Sequence, residues 1–576
     1  MYYANRGAAQ GCTGCALAIN LVRTYVTSYE TERDIDVIIQ GTPDNLRIWN
    51  RRYSPSFSFV LVLYTVEESK VQEGVTRVQQ WYAQSAQHET CRDERKYPLP
   101  SRLLDLEPEG SLGISAKLIE TKQLHSPKYA CLSYCWGGVE PDCMTTDATY
   151  DENQRGIPTP KTPRLFLEAM EFTRRMGIRY LWIDSLCIIQ GNSMDWKQEA
   201  GCMANIYAGS ALTIAAAVST DCNQGLYTSR PEEFRPRELA PLIRHKGQKK
   251  TVHVRLQQHS HQPHLILSNG PLMSRAWAFQ ERLLSARTIY FYDGGEFIWE
   301  CRNGWLCLCQ PHDLHFGYNE SQKDCWQKQI TPGSHREEEQ WASVGGGTVR
   351  RYTSMKMSDP MDKLPAFAGI AHYFETRQGR TDTYVAGIWQ DMPYALLWWC
   401  PGDQSECDGE QRLNHWRAPT WSWACLDCEI ECFWCRPTKK DVILSIIERF
   451  EYVADGPDSF GRLHSASMLL RGPAFSDTVT YSTGSKTDWV TFRLASLEPE
   501  WHRSAYPDFD VVKSNETVQV GVQCVVIMML EFRGAVGLLL MPSKRVPGAF
   551  ERVGVFNCPQ SHIEEQGCSE MCFTVV

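Results

Sequence analysis

Between residues 128 and 301 the apolar positions change period several times, and each change marks an element. Tyr129-Ala-Cys-Leu-Ser-Tyr134 is a short apolar run broken by Gly137-Gly138, the form of a buried strand. Thr162-Pro163 then reads as an N-cap followed by a first-turn proline. The helix it opens carries Leu165, Ala169, Phe172 and Met176 on one face and stops at Gly177. Tyr180-Leu-Trp-Ile183 is again continuously apolar, as a buried parallel strand should be. Asn192 to Asp195 begins a second helix, with Trp196, Ala200, Met203, Ile206 and Tyr207 along one stripe, and Ala211 to Ala217 is a third strand. This alternation predicts an α/β core of right-handed βαβ units in a parallel sheet with helices on both faces.

The flanks are less regular. A helical stretch starts at Cys12-Thr-Gly-Cys15 with Leu17, Leu21 and Tyr25 spaced by four; a strand at Ser58 to Thr65 and an amphipathic stretch from Val71 to Tyr82 follow. Pro98-Leu99-Pro100 reads as a linker. Beyond a polar insertion, Arg230 to Gln262, a helix is expected over Arg275 to Leu284 and a hairpin over Thr288 to Cys301 about Asp293-Gly294-Gly295. Glu338 to Arg351 and Pro401 to Arg412 read as surface loops. Asp362 to Phe374 is helical, and strands are expected at Tyr384–Trp389, Thr420–Ala424, Ser467–Gly472, Val490–Leu494, Gln519–Phe532 and Gly534–Met541. The carboxy-terminal part is therefore a mixed, β-rich region.

Composition narrows the function classes. The 576 residues carry a formal charge of -9, which argues against a general nucleic-acid binder, since that needs a basic footprint. The one basic cluster, Arg244 to Lys250, reads as a solvated loop. The opening residues lack a secretory pattern, and the longest apolar runs are of strand length, so no membrane span and a cytoplasmic protein are expected. The 23 cysteines are too sparse for a disulfide scaffold and read as small buried hydrophobes in a reducing compartment, beside 19 tryptophans.

Four ordered motifs carry a family resemblance. Tyr129-Ala-Cys-Leu-Ser-Tyr-Cys-Trp-Gly137, Arg179-Tyr-Leu-Trp-Ile-Asp-Ser-Leu-Cys-Ile-Ile-Gln190, Asp195-Trp-Lys-Gln-Glu199 with Met203 to Ala208, and Arg275-Ala-Trp-Ala-Phe-Gln-Glu-Arg-Leu-Leu-Ser285 resemble the fungal heterokaryon-incompatibility (HET) domain. Trp299-Glu-Cys-Arg302 resembles its usual sequel, and Ala386-Gly-Ile-Trp389 and Arg417 to Ala424 resemble flanking elements of large HET proteins. The resemblance divides the chain into a flanking region (1–100), a HET domain (101–310, motif core 128–301) and a β-rich region (311–576). It implies a role in allorecognition: growth arrest or programmed cell death when non-self fungal cells fuse. Its implied partners are another incompatibility-locus protein or a second copy of itself. More loosely it implies a Toll/interleukin-receptor-type (TIR) core, and some TIR domains cleave NAD with a glutamate, which makes NAD the candidate substrate; no resident cofactor is implied. That step is analogy of fold, which alone confers no chemistry.

Glycosidic cleavage needs a carboxylate to activate water or stabilise an oxocarbenium-like centre, and an aromatic wall for the base. Asp184, directly after a strand, and Glu199 and Glu281, on helices, are the candidate catalytic carboxylates; Ser133, Trp136 and Arg275 are the candidates for holding NAD. Each carboxylate also has a plain structural use: Asp184 as the cap of the next turn, Glu281 as a partner of Arg275 or Arg282. The enzymatic reading therefore stands beside a non-catalytic death-effector module and an inactive diverged paralogue. Cys187 lacks a neighbouring histidine and reads as a buried thiol. Cys425-x2-Cys428-x3-Cys432-x2-Cys435 and Cys301/Cys307/Cys309/His312 read as cysteines filling the core, so no metal site is assigned. Neither a phosphate-binding glycine loop nor a G-x-S-x-G nucleophile motif is present.

Overall fold

The computed structural model describes residues 37–42, 45–50, 58–64, 70–91, 97–107, 113–227, 237–245, 248–257, 270–292, 296–307, 347–400, 415–432, 440–483, 490–497, 505–507, 519–530 and 534–576. The helix expected from Cys15, the Asp293–Gly295 turn and the loop Pro401 to Arg412 lie outside the described residues. The chain divides into two compact units. The first comprises Met1–Asn192, Ile206–Ser274 and Ser285–Asp324; the second comprises Ser193–Asn205, Arg275–Leu284 and Cys325–Val576.

In chain order the first stretch of sequence forms β1 (Val37–Thr42), β2 (Asn45–Asn50), β3 (Ser58–Tyr64), α1 (Lys70–Ser85), β4 (Arg102–Asp105), β5 (Ile114–Glu120) and β6 (Tyr129–Ser133). Then come α2 (Tyr150–Arg155), β7 (Ile157–Pro158), α3 (Arg164–Arg175), β8 (Tyr180–Trp182), the single turn α4 (Asp184–Cys187), α5 (Ser193–Gly209) and β9 (Leu212–Ala216). They are followed by β10 (Arg237–His245), β11 (Gln248–Gln257), α6 (Ala276–Leu284), β12 (Arg287–Tyr292), β13 (Glu296–Cys301) and β14 (Gly304–Cys307). Helix α5 gives its residues up to Asn205 to the second unit and the remainder to the first, and α6 belongs to the second.

The central sheet of the first unit has the order β14-β13-β12-β9-β6-β8-β4-β5-β7. Its four inner strands β8, β6, β9 and β12 are parallel, and antiparallel strands extend both edges. The expected α/β core is thus present. Register assigns the helices to faces, because side chains alternate across a strand. Leu132, Ile214 and Ile289 are aligned, as are Cys131, Thr213 and Thr288. On the first of these faces, Phe166 of α3 packs on Tyr134 and Phe172 packs on Phe291. On the other, Tyr207 of α5 meets Trp182, and the Cys131 thiol points to the Ile206 carbonyl. Helices therefore cover both faces, which is why the inner strands are mostly apolar, with Thr213 and Thr288 buried among them.

Three local expectations are corrected here. The insertion Arg230 to Gln262 contains the hairpin β10–β11, which pairs with β3 in a five-stranded sheet, so the basic residues 244–245 and 249–250 lie in strands rather than a loop. Alternation of Val252, Val254 and Leu256 with polar residues carries that strand, beneath an overall polar composition. The cap of α3 is Pro163, and the Thr162 hydroxyl bonds the Pro158 carbonyl instead. Residues 347–353 are helical, so the loop expected from Glu338 to Arg351 gives way to a helix at its end.

The strand β4 is tied to the start of β8 by a forked ion pair: Arg179 donates from Nε and Nη2 to the two Asp105 oxygens at 2.8 and 2.7 Å. Burial pushes the Asp105 carboxyl up, but the Arg179 guanidinium outweighs it and holds the group below the usual carboxylate range. A group depressed in the folded state stabilises above its unfolded pKa and loses that contribution as pH falls through the folded one. Asp105→Asn should therefore cost about 1 kcal/mol at pH 7, a modest figure because Arg179 is half exposed. Thermal unfolding should show the gap to wild type narrowing as pH drops below about 4; a gap that is constant with pH would contradict the assignment.

The second unit contains α7 (Pro365–Gln378), a two-residue hairpin β15 (Tyr384–Val385) and β16 (Ile388–Trp389), and a large sheet. Its strands are β17 (Val442–Ile443), β18 (Ile446–Ala454), β19 (Leu463–Thr483), β20 (Val490–Leu494), β21 (Ala505–Pro507), β22 (Gln519–Leu530), β23 (Gly534–Pro542), β24 (Phe550–Cys558) and β25 (Ser569–Val575). The long β19 pairs with β25 and then β22, which closes the path β19–β22–β23–β24–β25 on itself around Phe475, Cys524, Leu539 and Phe556. The carboxy-terminal region is therefore β-rich, as expected. The strand expected at Thr420–Ala424 is instead a turn running into a 3-10 helix, Trp423–Cys425, because the Ser422 hydroxyl caps the Ala424 N–H at 3.0 Å. Among the described residues no helix is long and apolar enough to cross a membrane.

Candidate functional site

Chain order and sheet order define one special edge. The parallel strands run β6, β8, β9, β12 in sequence but lie as β8-β6-β9-β12 in space, so the chain reverses direction across the sheet between β6 and β9. Ligands of open α/β sheets bind outside the carboxyl ends of the strands at such a switch point. The residues there are Ser133 to Gly138 after β6, Ile183 to Ser185 after β8, and Ala217 to Asp221 after β9.

Two sequence-predicted residues meet at this edge. The Trp136 indole N–H donates to Asp184 Oδ2 at 2.8 Å, and the Ser185 backbone N–H donates to Asp184 Oδ1 at 2.7 Å. Asp184 opens α4, so its carboxylate stands at that turn's N-terminus. Tyr134 donates to the Ser185 hydroxyl at 2.9 Å, and burial, reinforced by the charge of Asp184, pushes its phenol well above the ordinary value. Ser133, also a predicted residue, is buried at the end of β6. Ser185 is a member that the sequence did not single out; its place directly after Asp184 at the end of an apolar strand was the available signal.

The loop after β6 turns through Gly137 and Gly138, both at positive φ (65 and 71°). A Cβ on Gly137 would run into the Thr220 carbonyl oxygen and the Asp221 Cβ, so glycine is required for the loops after β6 and β9 to touch. Asp221 caps that second loop by accepting from the Asn223 and Gln224 N–H groups at 2.8 and 3.1 Å.

The other predicted residues lie in the second unit. Glu199 is buried on α5 and Glu281 is buried on α6 beside Gln280, whose side chain accepts from the Gly369 N–H at 2.9 Å. Arg275, half-buried, precedes α6 and bridges Lys356 in a short parallel pairing. The same unit has a shallow cleft lined by Trp196, Lys197, Asp455, Asp458 and Arg462. Its charges are largely satisfied internally: Lys197 pairs with Asp455 at 2.7 Å, and Arg462 pairs with Asp359 and lies over Trp196.

Cysteine chemistry is quiet in the first unit's core, since Cys187 and Cys131 are wholly buried thiols in no disulfide. Cys425 and Cys428 are buried near the Trp423 turn, and Cys307 is disulfide-bonded. A different trio stands out. Cys91 and Cys301 are buried beside His88, and the Cys301 thiol, with help from His88 and Arg287, draws the Cys91 thiol down to about 5 against its burial.

The fold and this edge define the class: a doubly wound α/β domain with a carboxylate and an indole at its switch point. Residues 129–281, which begin at the first residue of β6 and end within α6, match the family described as Heterokaryon incompatibility protein (HET), the family that the sequence motifs resemble. No curated protein and no solved structure matches the chain.

Proposed function

We propose that the chain is a cytoplasmic allorecognition protein whose HET domain arrests growth or triggers cell death on non-self contact, by hydrolysing NAD at the edge headed by Asp184. The observation that supports the reading is the Trp136–Asp184 pair at the switch point, inside the matched segment. An indole and a carboxylate side by side are the two groups that glycosidic hydrolysis requires. In the reaction the bond between ribose C1′ and the nicotinamide nitrogen breaks and its electron pair leaves with nicotinamide. Water oxygen bonds C1′, and the water proton passes to Asp184 and then to solvent, giving ADP-ribose, nicotinamide and a proton. Ser133 is proposed to hold the dinucleotide at this edge; Arg275, Glu199 and Glu281, which belong to the second unit, are the other residues put forward for NAD chemistry. The trigger is proposed to be another incompatibility-locus protein or a second copy of the chain.

A second reading has its own support. Both Asp184 oxygens already accept hydrogen bonds, and the loops flanking the switch point touch at Gly137. An edge so used suits a non-catalytic effector that acts by assembly. Expression of the intact chain in fungal cells, with growth and NAD content followed together, separates the two. The hydrolase reading at this edge expects NAD to fall several-fold before growth stops, and both effects to vanish in Asp184→Asn. Arrest at constant NAD supports assembly, and no arrest from folded protein marks an inactive paralogue.

A further inference from the structure

Helix α1 ends at Ser85, and the following turn carries His88 and a 3-10 segment, Glu89–Cys91. The antiparallel pair β12–β13 sets Arg287 opposite Cys301. Between these elements three donors of metal-binding type converge. His88 Nδ1 is 3.8 Å from Cys91 Sγ and 3.7 Å from Cys301 Sγ, and all three ligand atoms lie within 4.8 Å of one another.

Those separations are what a tetrahedral ion requires. Zinc binds sulfur at about 2.3 Å and imidazole nitrogen at about 2.0–2.1 Å, so an S···N edge of its tetrahedron is about 3.6 Å. Both S···N separations lie within a few tenths of an ångström of that edge, so the imidazole is placed to share an ion with each thiol. The donor set, two thiols and one imidazole, is of the soft kind that selects zinc over magnesium or calcium. Both sulfurs are buried, at 2 and 3% exposure, while His88 is half-buried, so entry is through the histidine side.

The surroundings hold the ligand-bearing turn in place. Arg287 Nε donates to the Ser85 hydroxyl at 2.8 Å, and its Nη2 donates to the Cys91 carbonyl at 3.2 Å. The guanidinium thus fixes the turn to β12 and places a positive charge beside two prospective thiolates.

We propose that His88, Cys91 and Cys301 bind one zinc ion that pins the turn after α1 to the edge hairpin of the central sheet. Binding releases the two thiol protons to solvent and uses the His88 Nδ1 lone pair, and the resulting thiolate pair balances the dication. Three protein ligands leave a fourth position for water or an added donor, which distinguishes this site from closed four-ligand structural sites. This inference is independent of the NAD reading and survives its failure.

The test is the zinc content of the purified full chain, by elemental analysis after dialysis against metal-free buffer, in wild type, Cys301→Ser and His88→Ala. The expected result is one equivalent less zinc per chain in each variant than in wild type. Chelator should lower the wild-type Tm, with recovery on adding zinc. Cobalt replacement of the zinc should give a thiolate-to-metal charge-transfer absorption that both variants lose. His88→Ala alters the least buried ligand, so it keeps the test readable if a cysteine variant fails to fold. Equal zinc in wild type and the folded His88→Ala variant would overturn the site, as would mass mapping of a Cys91–Cys301 disulfide in the protein as isolated.

Discussion

Asp184→Asn should reduce nicotinamide release from NAD by about 10²- to 10⁴-fold, the usual worth of a positioned general base. The substitution keeps the shape of the side chain and removes the charge that would accept the water proton. A structural cost accompanies it. Asp184 accepts two hydrogen bonds, from the Trp136 indole and the Ser185 N–H, and asparagine can accept with one oxygen only. One donor then loses its partner, at about 1–3 kcal/mol. Trp136→Phe separates these contributions, because it removes the indole donor and leaves the carboxylate. If Asp184 is the base, kcat should drop far more in Asp184→Asn than in Trp136→Phe, with KM changing little in the former. Parallel losses in both variants, tracking their stability, would assign Asp184 a structural role.

Trp421→Ala should be among the most damaging single changes in the second unit, lowering its stability by about 3–5 kcal/mol. Trp421 is fully buried, stacks on Phe450 at 5.3 Å, and donates from its indole to the Val575 carbonyl at 3.1 Å. Its own carbonyl accepts from the Trp398 indole at 3.0 Å, and Thr420 beside it accepts from the Arg552 N–H at 2.9 Å. The turn therefore anchors the last strand to the rest of the unit. Alanine leaves a cavity and an unserved carbonyl at the chain's end, whereas Trp421→Phe should restore part of the packing and none of the hydrogen bond. Urea unfolding of the three proteins should rank them wild type, Phe, Ala. A loss under about 1 kcal/mol in the alanine variant would contradict this role.

The parallel core was legible because strands covered on both faces are apolar without interruption, and Tyr180 to Ile183 or Ala211 to Ala217 can be little else. Helices α3 and α5 were legible from their 3.6-residue stripes. The turn at Trp421 was not: Thr-Trp-Ser-Trp-Ala alternates like a strand, but both tryptophans are buried and the serine is spent on a cap. The hairpin β10–β11 was hidden by its polarity. Asp184 was found by its place after a strand, yet its partner Trp136 lies 48 positions away and only the parallel pairing of β6 with β8 joins them. His88 and Cys301 are 213 positions apart and meet through an α1–β13 packing that no local pattern announces. Separation along the chain, more than ambiguity of residue type, set the limit.

NAD cleavage at the Asp184 edge can be assayed outside the cell. Its most direct test is incubation of the purified full chain with NAD, with free nicotinamide and ADP-ribose resolved by chromatography. Wild type should give the two products in equal amounts, and folded Asp184→Asn should give almost none. Intact NAD with a folded wild-type chain, or undiminished cleavage in Asp184→Asn, would contradict cleavage at this edge.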